Sequence, residues 1–219
     1  IKLYNSGNFF DNRAVPRSDW PEIAELVAGF ESVIVENHPR LCKQNCLEFK
    51  SLLSGQLEIA MGLETVHPQV LQWLNKQMSM EDFKEATQRL ISHDINVRAF
   101  VLLRPPFLTE KQGVYWATKT MEYAFECGVE CCSVVPGRGG NGVLDQLQKQ
   151  GNFTPPNLKS MESTLVAGLG MNRGRVFMDL WDVQRFVTCH RCANDRQNRI
   201  LQMNQTQTGI QGDDCGDCG

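Results

Sequence analysis

Three observations predict an α/β protein built on a parallel sheet. Short runs rich in Val, Ile and Leu recur at intervals of about 25–40 residues. These runs show almost no period-two alternation, as expected of strands covered on both faces. Each is followed by an amphipathic helical stretch. A (β/α) barrel and an open doubly wound sheet both satisfy this plan, and in both the loops after the strands carry the chemistry.

The elements follow in order. Residues 2–6 read as a strand, with Gly7 and Asn8 in the loop after it. Residues 19–30 read as a helix, with Pro21 suited to its first turn and Ile23, Leu26, Val27 and Phe30 on one face. The β-branched run 32–35 is a strand that ends at Glu36-Asn37-His38-Pro39, and residues 43–53 form a helix closed by Gly55. Residues 57–63 form a strand that delivers Glu64 and Thr65, followed by a helix that ends near Asn75 and Lys76. Ser79 caps the helix 80–93, with Asp82 at the capping-box position. Strand 96–103 ends in Arg104-Pro105-Pro106, and Thr109 with Gln112 boxes the start of a helix that runs to about Cys127. Strand 129–135 ends in the glycine run 137–142; helices 142–150 and 158–169 and a strand 175–180 complete the pattern. Residues 1–180 are therefore expected to be the strand–helix domain and residues 181–219 a small C-terminal module.

Composition bounds the function. The chain has 219 residues, 42% hydrophobic and 21% charged, with a net charge of −3, so any nucleic-acid contact must come from a local patch. No apolar run approaches the roughly 18 residues of a membrane span, and no charged-then-apolar leader is present. A cytoplasmic protein without membrane contact is the expectation. Nine cysteines without a secretion signal argue against a disulfide framework. The chain opens on IKLYNS, without Met and inside an extended apolar pattern. A fragment of a larger domain is expected; a trimmed chain is the alternative.

The strongest local signal is two CxxC pairs, Cys189/Cys192 and Cys215/Cys218. A two-residue spacer lets both thiolates reach one ion, and two such pairs complete a tetrahedral site for zinc. An iron–sulfur site and metal-free cysteine pairs are the alternatives. The polar stretch between the pairs carries no obvious core, so the metal is expected to order it. Cys42/Cys46 and Cys127/Cys131 have the first spacing of a CxxxCxxC run, but the third positions are Phe49 and Val134, which favours ordinary buried thiols. Glu36 and Glu64 end neighbouring strands, suited to acid–base work or ribose hydroxyls, or else to neutralisation by Arg or Lys at a rim. His38 lies beside Glu36 and reads more readily as a hydrogen-bonding residue than as a ligand. The glycine run offers backbone N–H groups to an anion, or is a flexible loop. Arg185, Arg191, Arg196 and Arg199 either meet phosphates or form a solvated face with Asp182 and Asp195.

The strand ends, taken in order, resemble those of radical S-adenosylmethionine (SAM) enzymes from the second strand onward. The segments that carry the resemblance are LYNSGNFFD, VIVENHP, GLETVHPQVLQWLNK, AFVLLRPPFLTEKQ and SVVPGRGG. Arg104-Pro-Pro stands where the pattern usually has Gly-Leu-Pro. RPPFLTE and the tail, MDLWDVQRF with the CxxC pairs and MNQTQ, narrow the resemblance to the radical SAM subunit of archaeosine synthase. It covers nearly the whole chain.

This resemblance implies a partial, TIM-like (β/α)6 radical SAM barrel that lacks its first strand and its CxxxCxxC cluster loop, which would lie upstream of Ile1, followed by a small zinc module. It implies SAM and a [4Fe–4S] cluster as cofactors, with no cluster ligands in this chain. The cluster and SAM together would generate a radical that frees archaeosine from a lysine-bearing 7-deazaguanine base in tRNA. Ser6, Gly7 and Asn8 would meet the SAM amine. Glu36 and Glu64 would bond the ribose or the methionyl end, and Lys76 would pair with the SAM carboxylate. Arg104 would face substrate, and Cys189, Cys192, Cys215 and Cys218 would hold zinc. The implied partners are tRNA, the lysine-transferring alpha subunit and an electron donor. Another radical SAM tRNA modification, such as methylthiolation or Elongator-like chemistry, and a non-catalytic zinc-bearing RNA adaptor are the competing readings.

Overall fold

The computed structural model describes residues 1–4, 7–140, 142–212 and 215–218. Six strands lie in one sheet in the order β1-β2-β3-β4-β5-β6. They are β1 (Lys2–Leu3), β2 (Ser32–Glu36), β3 (Gln56–Glu64), β4 (Asn96–Leu103), β5 (Cys131–Pro136) and β6 (Arg175–Met178). β1 pairs with β2, β2 with β3, and β5 with β6, all in parallel. A doubly wound sheet reverses its strand order at a switch point, whereas a barrel-type (β/α) chain adds each strand beside the last. The sequential order decides for the TIM-like plan.

The chain divides into two compact units. The first comprises Ile1–Leu63, Gln77–Phe100 and Ala124–Glu130. Its helices are α1 (Trp20–Leu26), α2 (Gln44–Lys50) and α4 (Met80–Ile91). Phe9, Phe10, Trp20 and Phe49 form an aromatic nucleus with ring centroids 4.8–6.0 Å apart. Each such ring contributes about 2–3 kcal/mol by its burial. The predicted helix at 19–30 is shorter and turned relative to its expected face. It stops at Leu26, and Trp20, Ala24 and Val27 form the buried stripe, leaving Leu26 74% exposed. Gly55 also has a different role from the expected helix stop. A Cβ there would lie 2.4 Å from the Phe30 carbonyl oxygen, so glycine permits the close approach that leads into β3. The Ser79/Asp82 capping box of α4 forms as expected, with Asp82 N–H donating to Ser79 Oγ at 3.1 Å. Inside this unit Glu58 and Arg98 make a fully buried ion pair.

The second unit comprises Glu64–Lys76, Val101–Tyr123 and Cys131–Gly219. It contains α3 (Pro68–Trp73), α6 (Val143–Lys149), α7 (Leu158–Gly170) and most of α5 (Glu110–Glu126). It also contains α8 (Ala193–Thr206), which fills the stretch expected to depend on metal for its order. Ala193, Ile200 and Met203 are buried, and α8 packs on α7 and β6. The spacing 193, 196, 200, 203 is a helical stripe; Arg196 within it hides the pattern from an apolar count. Asn204 and Gln207 then bond the backbone of β6. Asn204 joins Met178 N–H and C=O, each at 2.8 Å, and Gln207 joins Val176 N–H at 2.8 Å and C=O at 3.1 Å. Two side-chain amides thus do for this strand what a further strand would do.

Candidate functional site

Glu64 is the last residue of β3 and Arg104 follows β4, both at strand C-termini in a parallel sheet. Both have left-handed backbone, φ 65° and 55°, as does Phe107 at 72°. Non-glycine residues in this region cost about 1–2 kcal/mol each; six other described residues, among them Asp94, Asn172 and Gln207, share it. A cavity of about 700 Å³ opens in the second unit. Its walls are mostly apolar, from Val70, Trp73, Pro106, Phe107, Leu147 and Phe153 among others. Trp73 and Phe107 meet edge to face at 4.8 Å and are both partly exposed. Polar atoms come from Arg138 and from Glu64 and Lys76, which pair at 2.6 Å. Glu64 is buried, so its charge is held by the more exposed Lys76. An apolar cavity with a few placed charges suits a small organic ligand that carries ionic groups.

His67 begins α3 as its N-cap, with Nδ1 accepting from Gln69 and Val70 N–H, which sets the helix that brings Trp73 and Lys76 to this cavity. Arg104 does not line it. Its guanidinium pairs with Glu110 and donates to the Pro155 carbonyl at 2.8 Å, anchoring the loop 104–108 that does. Gly113 is required there, since a Cβ would meet Arg104 Cβ at 2.7 Å.

The remaining residues expected to meet SAM belong to the first unit. Ser6 lies outside the described residues. Gly7 and Asn8 are in the loop after β1, and Asn8 Oδ1 accepts from His38 N–H at 2.7 Å. Glu36 ends β2, and its carbonyl accepts from Phe9 N–H at 2.9 Å. His38 caps a short 3-10 turn through Nδ1, accepting from Arg40 N–H at 3.2 Å, in line with a hydrogen-bonding role.

The four CxxC thiols come together. All four sulfurs lie within 4.8 Å of one another, with Cys189 to Cys215 at 3.9 Å and Cys192 to Cys218 at 3.6 Å. A disulfide needs about 2.05 Å. A tetrahedron of sulfurs about 2.3 Å from a central ion has edges near 3.8 Å. The donor set fits zinc. A hydrogen bond from Asp217 N–H, aided by the neighbouring thiols, lowers the Cys215 thiol to about 7. Arg196 Nε donates to Cys192 Sγ at 3.3 Å, the outer bond that orients a thiolate ligand. The same four cysteines do not fit a SAM-cleaving cluster, because four thiolates leave no iron open to SAM. Cys42 and Cys46 are buried in the first unit, where Asn37 Nδ2 donates to Cys42 Sγ at 3.3 Å. The hydrogen bond between the two thiols favours the Cys42 thiolate, and it pushes Cys46 upward together with burial.

The arginine cluster is mostly consumed internally. Arg196 and Arg199 both pair with Glu162 of α7, Arg185 pairs with Asp182, and Arg191 with Asp217. The glycine run does bind an anion, but one from its own chain. Gly140 and Gly142 N–H donate to the Asp145 carboxylate at 2.8 and 3.1 Å.

No family model matches the chain. The fold is radical-SAM-like. The structure of the archaeal Methanocaldococcus infernus Elp3, with its N-terminus deleted, matches with a TM-score of 0.65 at 15% identity, covering 80% of this chain and 46% of that one. Coproporphyrinogen III oxidase of Escherichia coli, a radical SAM enzyme, matches at 0.50 and 12% identity over 73% of this chain and 37% of its own. In sequence the chain has partial similarity to archaeosine synthase subunit beta. It is 26% identical over 171 residues to that subunit from Methanosarcina acetivorans, covering 74% of this chain and 48% of the relative. It is 26% identical over 209 residues to an uncharacterized protein of Methanocaldococcus jannaschii, covering 92% and 57%. The chain spans about half the length of the curated relatives it matches.

Proposed function

We propose that this chain is part of a radical SAM enzyme that modifies tRNA, most closely an archaeosine-forming enzyme cleaving a carbon–nitrogen bond of a lysine-bearing 7-deazaguanine base. The observation that carries this reading is the Glu64–Lys76 pair at the wall of a large apolar cavity, at the strand ends of a radical-SAM-like fold. In this reading Glu64 and Lys76 exchange their mutual contact for the two ends of SAM, the carboxylate for hydroxyl or amine groups and the ammonium for the methionyl carboxylate. Ser6, Gly7, Asn8 and Glu36 supply the remaining contacts. When bound, SAM and a reduced [4Fe–4S] cluster would supply hydrogen-abstracting chemistry, with a CxxxCxxC loop as the cluster's ligands. Arg104 holds the cavity loop and reaches substrate only by releasing Glu110. Residues 181–219 form the zinc-bearing module. A lysine-transferring subunit, an electron donor and tRNA are the proposed partners, in the cytoplasm.

The test uses the full-length protein, reconstituted anaerobically with iron and sulfide and reduced with dithionite. Release of 5′-deoxyadenosine is expected, and Glu64→Gln should weaken SAM binding roughly ten-fold or more, the loss of a hydrogen bond to a charged group. Absence of 5′-deoxyadenosine, or of a CxxxCxxC upstream of Ile1, would sink the radical reading. The closed four-cysteine site favours one second reading, a non-catalytic zinc-bearing RNA adaptor, which predicts zinc and RNA binding without SAM turnover.

A further inference from the structure

Trp181 lies just beyond β6 and is 70% exposed. Its backbone is held on both sides. Trp181 N–H donates to Asp179 Oδ1 at 2.9 Å, and its carbonyl accepts from Arg138 Nη1 at 2.9 Å. The Arg138 guanidinium, fixed by an ion pair with Asp179, sits 4.8 Å from the indole centroid and 5.7 Å from Phe186. The indole thus rests on a cation with most of its surface in water. Arg185, four residues on, donates to the Gly139 carbonyl at 3.1 Å and lines with Arg138 a hollow of about 310 Å³. Arg138 also belongs to the wall of the 700 Å³ cavity.

We propose that Trp181 is a stacking platform for an unpaired RNA base, with Arg185 meeting the adjoining phosphate. This rests on the RNA-modifying reading and adds the residues that would hold the nucleic acid beside the cavity. A flat π face fixed in advance by a cation is what base stacking requires, and it loses little conformational freedom on binding. Arg138 lies over the indole, Asp179 binds the Trp181 backbone N–H, and the Asp182–Arg185 pair follows directly in sequence. The two arginines of the hollow supply the positive charge that a phosphate beside a stacked base requires. Arg185 is about half exposed and its pair with Asp182 is a surface pair, so exchanging that carboxylate for a phosphate costs little.

The experiment titrates this chain with an unpaired 12-nucleotide RNA containing 2-aminopurine, whose fluorescence falls on stacking, and with the same RNA as a duplex. Wild type is expected to quench the single strand and to bind the duplex more weakly. Trp181→Ala should weaken binding about ten-fold and abolish the quench, while Trp181→Phe keeps most of both. Arg185→Gln should lower the salt dependence by about one phosphate contact, a slope that Trp181→Ala leaves unchanged. Equal melting temperatures establish that the variants are folded. Equal RNA affinity and quench in wild type and Trp181→Ala would overturn the platform and leave the RNA reading intact. No RNA binding by any form would overturn both, and 5′-deoxyadenosine release then reports separately on the radical chemistry.

Discussion

Glu162 is a buried carboxylate that faces two cations. It is buried on α7 and neutralises two guanidiniums, Arg196 and Arg199, that come from α8. Arg196 in turn donates to Cys192, so one carboxylate anchors the residue that orients a metal ligand. Removing one partner of a buried pair leaves an uncompensated charge, a loss of about 3–5 kcal/mol. Glu162→Gln is therefore expected to lower stability by about that amount in urea unfolding, and to weaken zinc retention in a competition with a chromophoric chelator. Stability unchanged within 1 kcal/mol would show that water reaches the pair. Arg104 and Glu110 repeat the theme at the cavity loop, where an arginine next to a strand end serves the backbone around it. The Glu162 pairs span 34 and 37 residues, whereas Arg104 and Glu110 are only six apart. A reading of the tail alone left its arginines available to phosphate.

At the scale of elements, α8 and β6 explain the MNQTQ stretch. Asn204 and Gln207 project from the end of α8 and take up the hydrogen bonds of β6. A sheet edge left open is a template for association. Replacing both amides, Asn204→Ala with Gln207→Ala, removes four hydrogen bonds of about 1 kcal/mol each, partly regained through water. A stability loss of about 2 kcal/mol is expected by thermal unfolding, with concentration-dependent association in light scattering. A fully monomeric variant of unchanged stability would show that these amides are replaceable by solvent. The glycine loop before α6 belongs to the same scale. Its N–H groups were legible as an anion site, and Asp145, in the first turn of α6, proves to be the anion. A capping carboxylate satisfies orphan N–H groups as well as a phosphate does.

For the molecule as a whole, the four-cysteine cluster and α8 set the order of dependence in the tail. The helix buries Ile200 and Met203 and ties itself to α7 through Glu162, so it stands on packing of its own. The four-cysteine cluster brings Cys215 and Cys218 back onto Cys189 and Cys192. Stripping the ion with a chelator is expected to lower the melting temperature and to expose Cys215 and Cys218 to thiol reagents. Most of the far-ultraviolet helical signal should remain. Collapse of that signal on chelation would mean that α8 folds only with the metal. The residues proposed for SAM are divided between the two units, Gly7, Asn8 and Glu36 in one and Glu64 and Lys76 in the other. Among the described residues, no helix is long and apolar enough to cross a membrane.

The strand–helix alternation, the capping boxes at Ser79 and Thr109 and the pairing of the CxxC motifs could all be read from the chain. Each is a local property, set by periodicity, by a hydrogen bond three residues long or by the reach of two thiolates. The sequential strand order, the buried face of α1, the use of Gly55 and the existence of α8 were decided by tertiary structure. So were the partners of every functional charge, from Lys76 on Glu64 to Arg196 on Glu162. The reason is physical: the worth of an ion pair depends on distance and on the water both groups give up, and neither depends on separation along the chain.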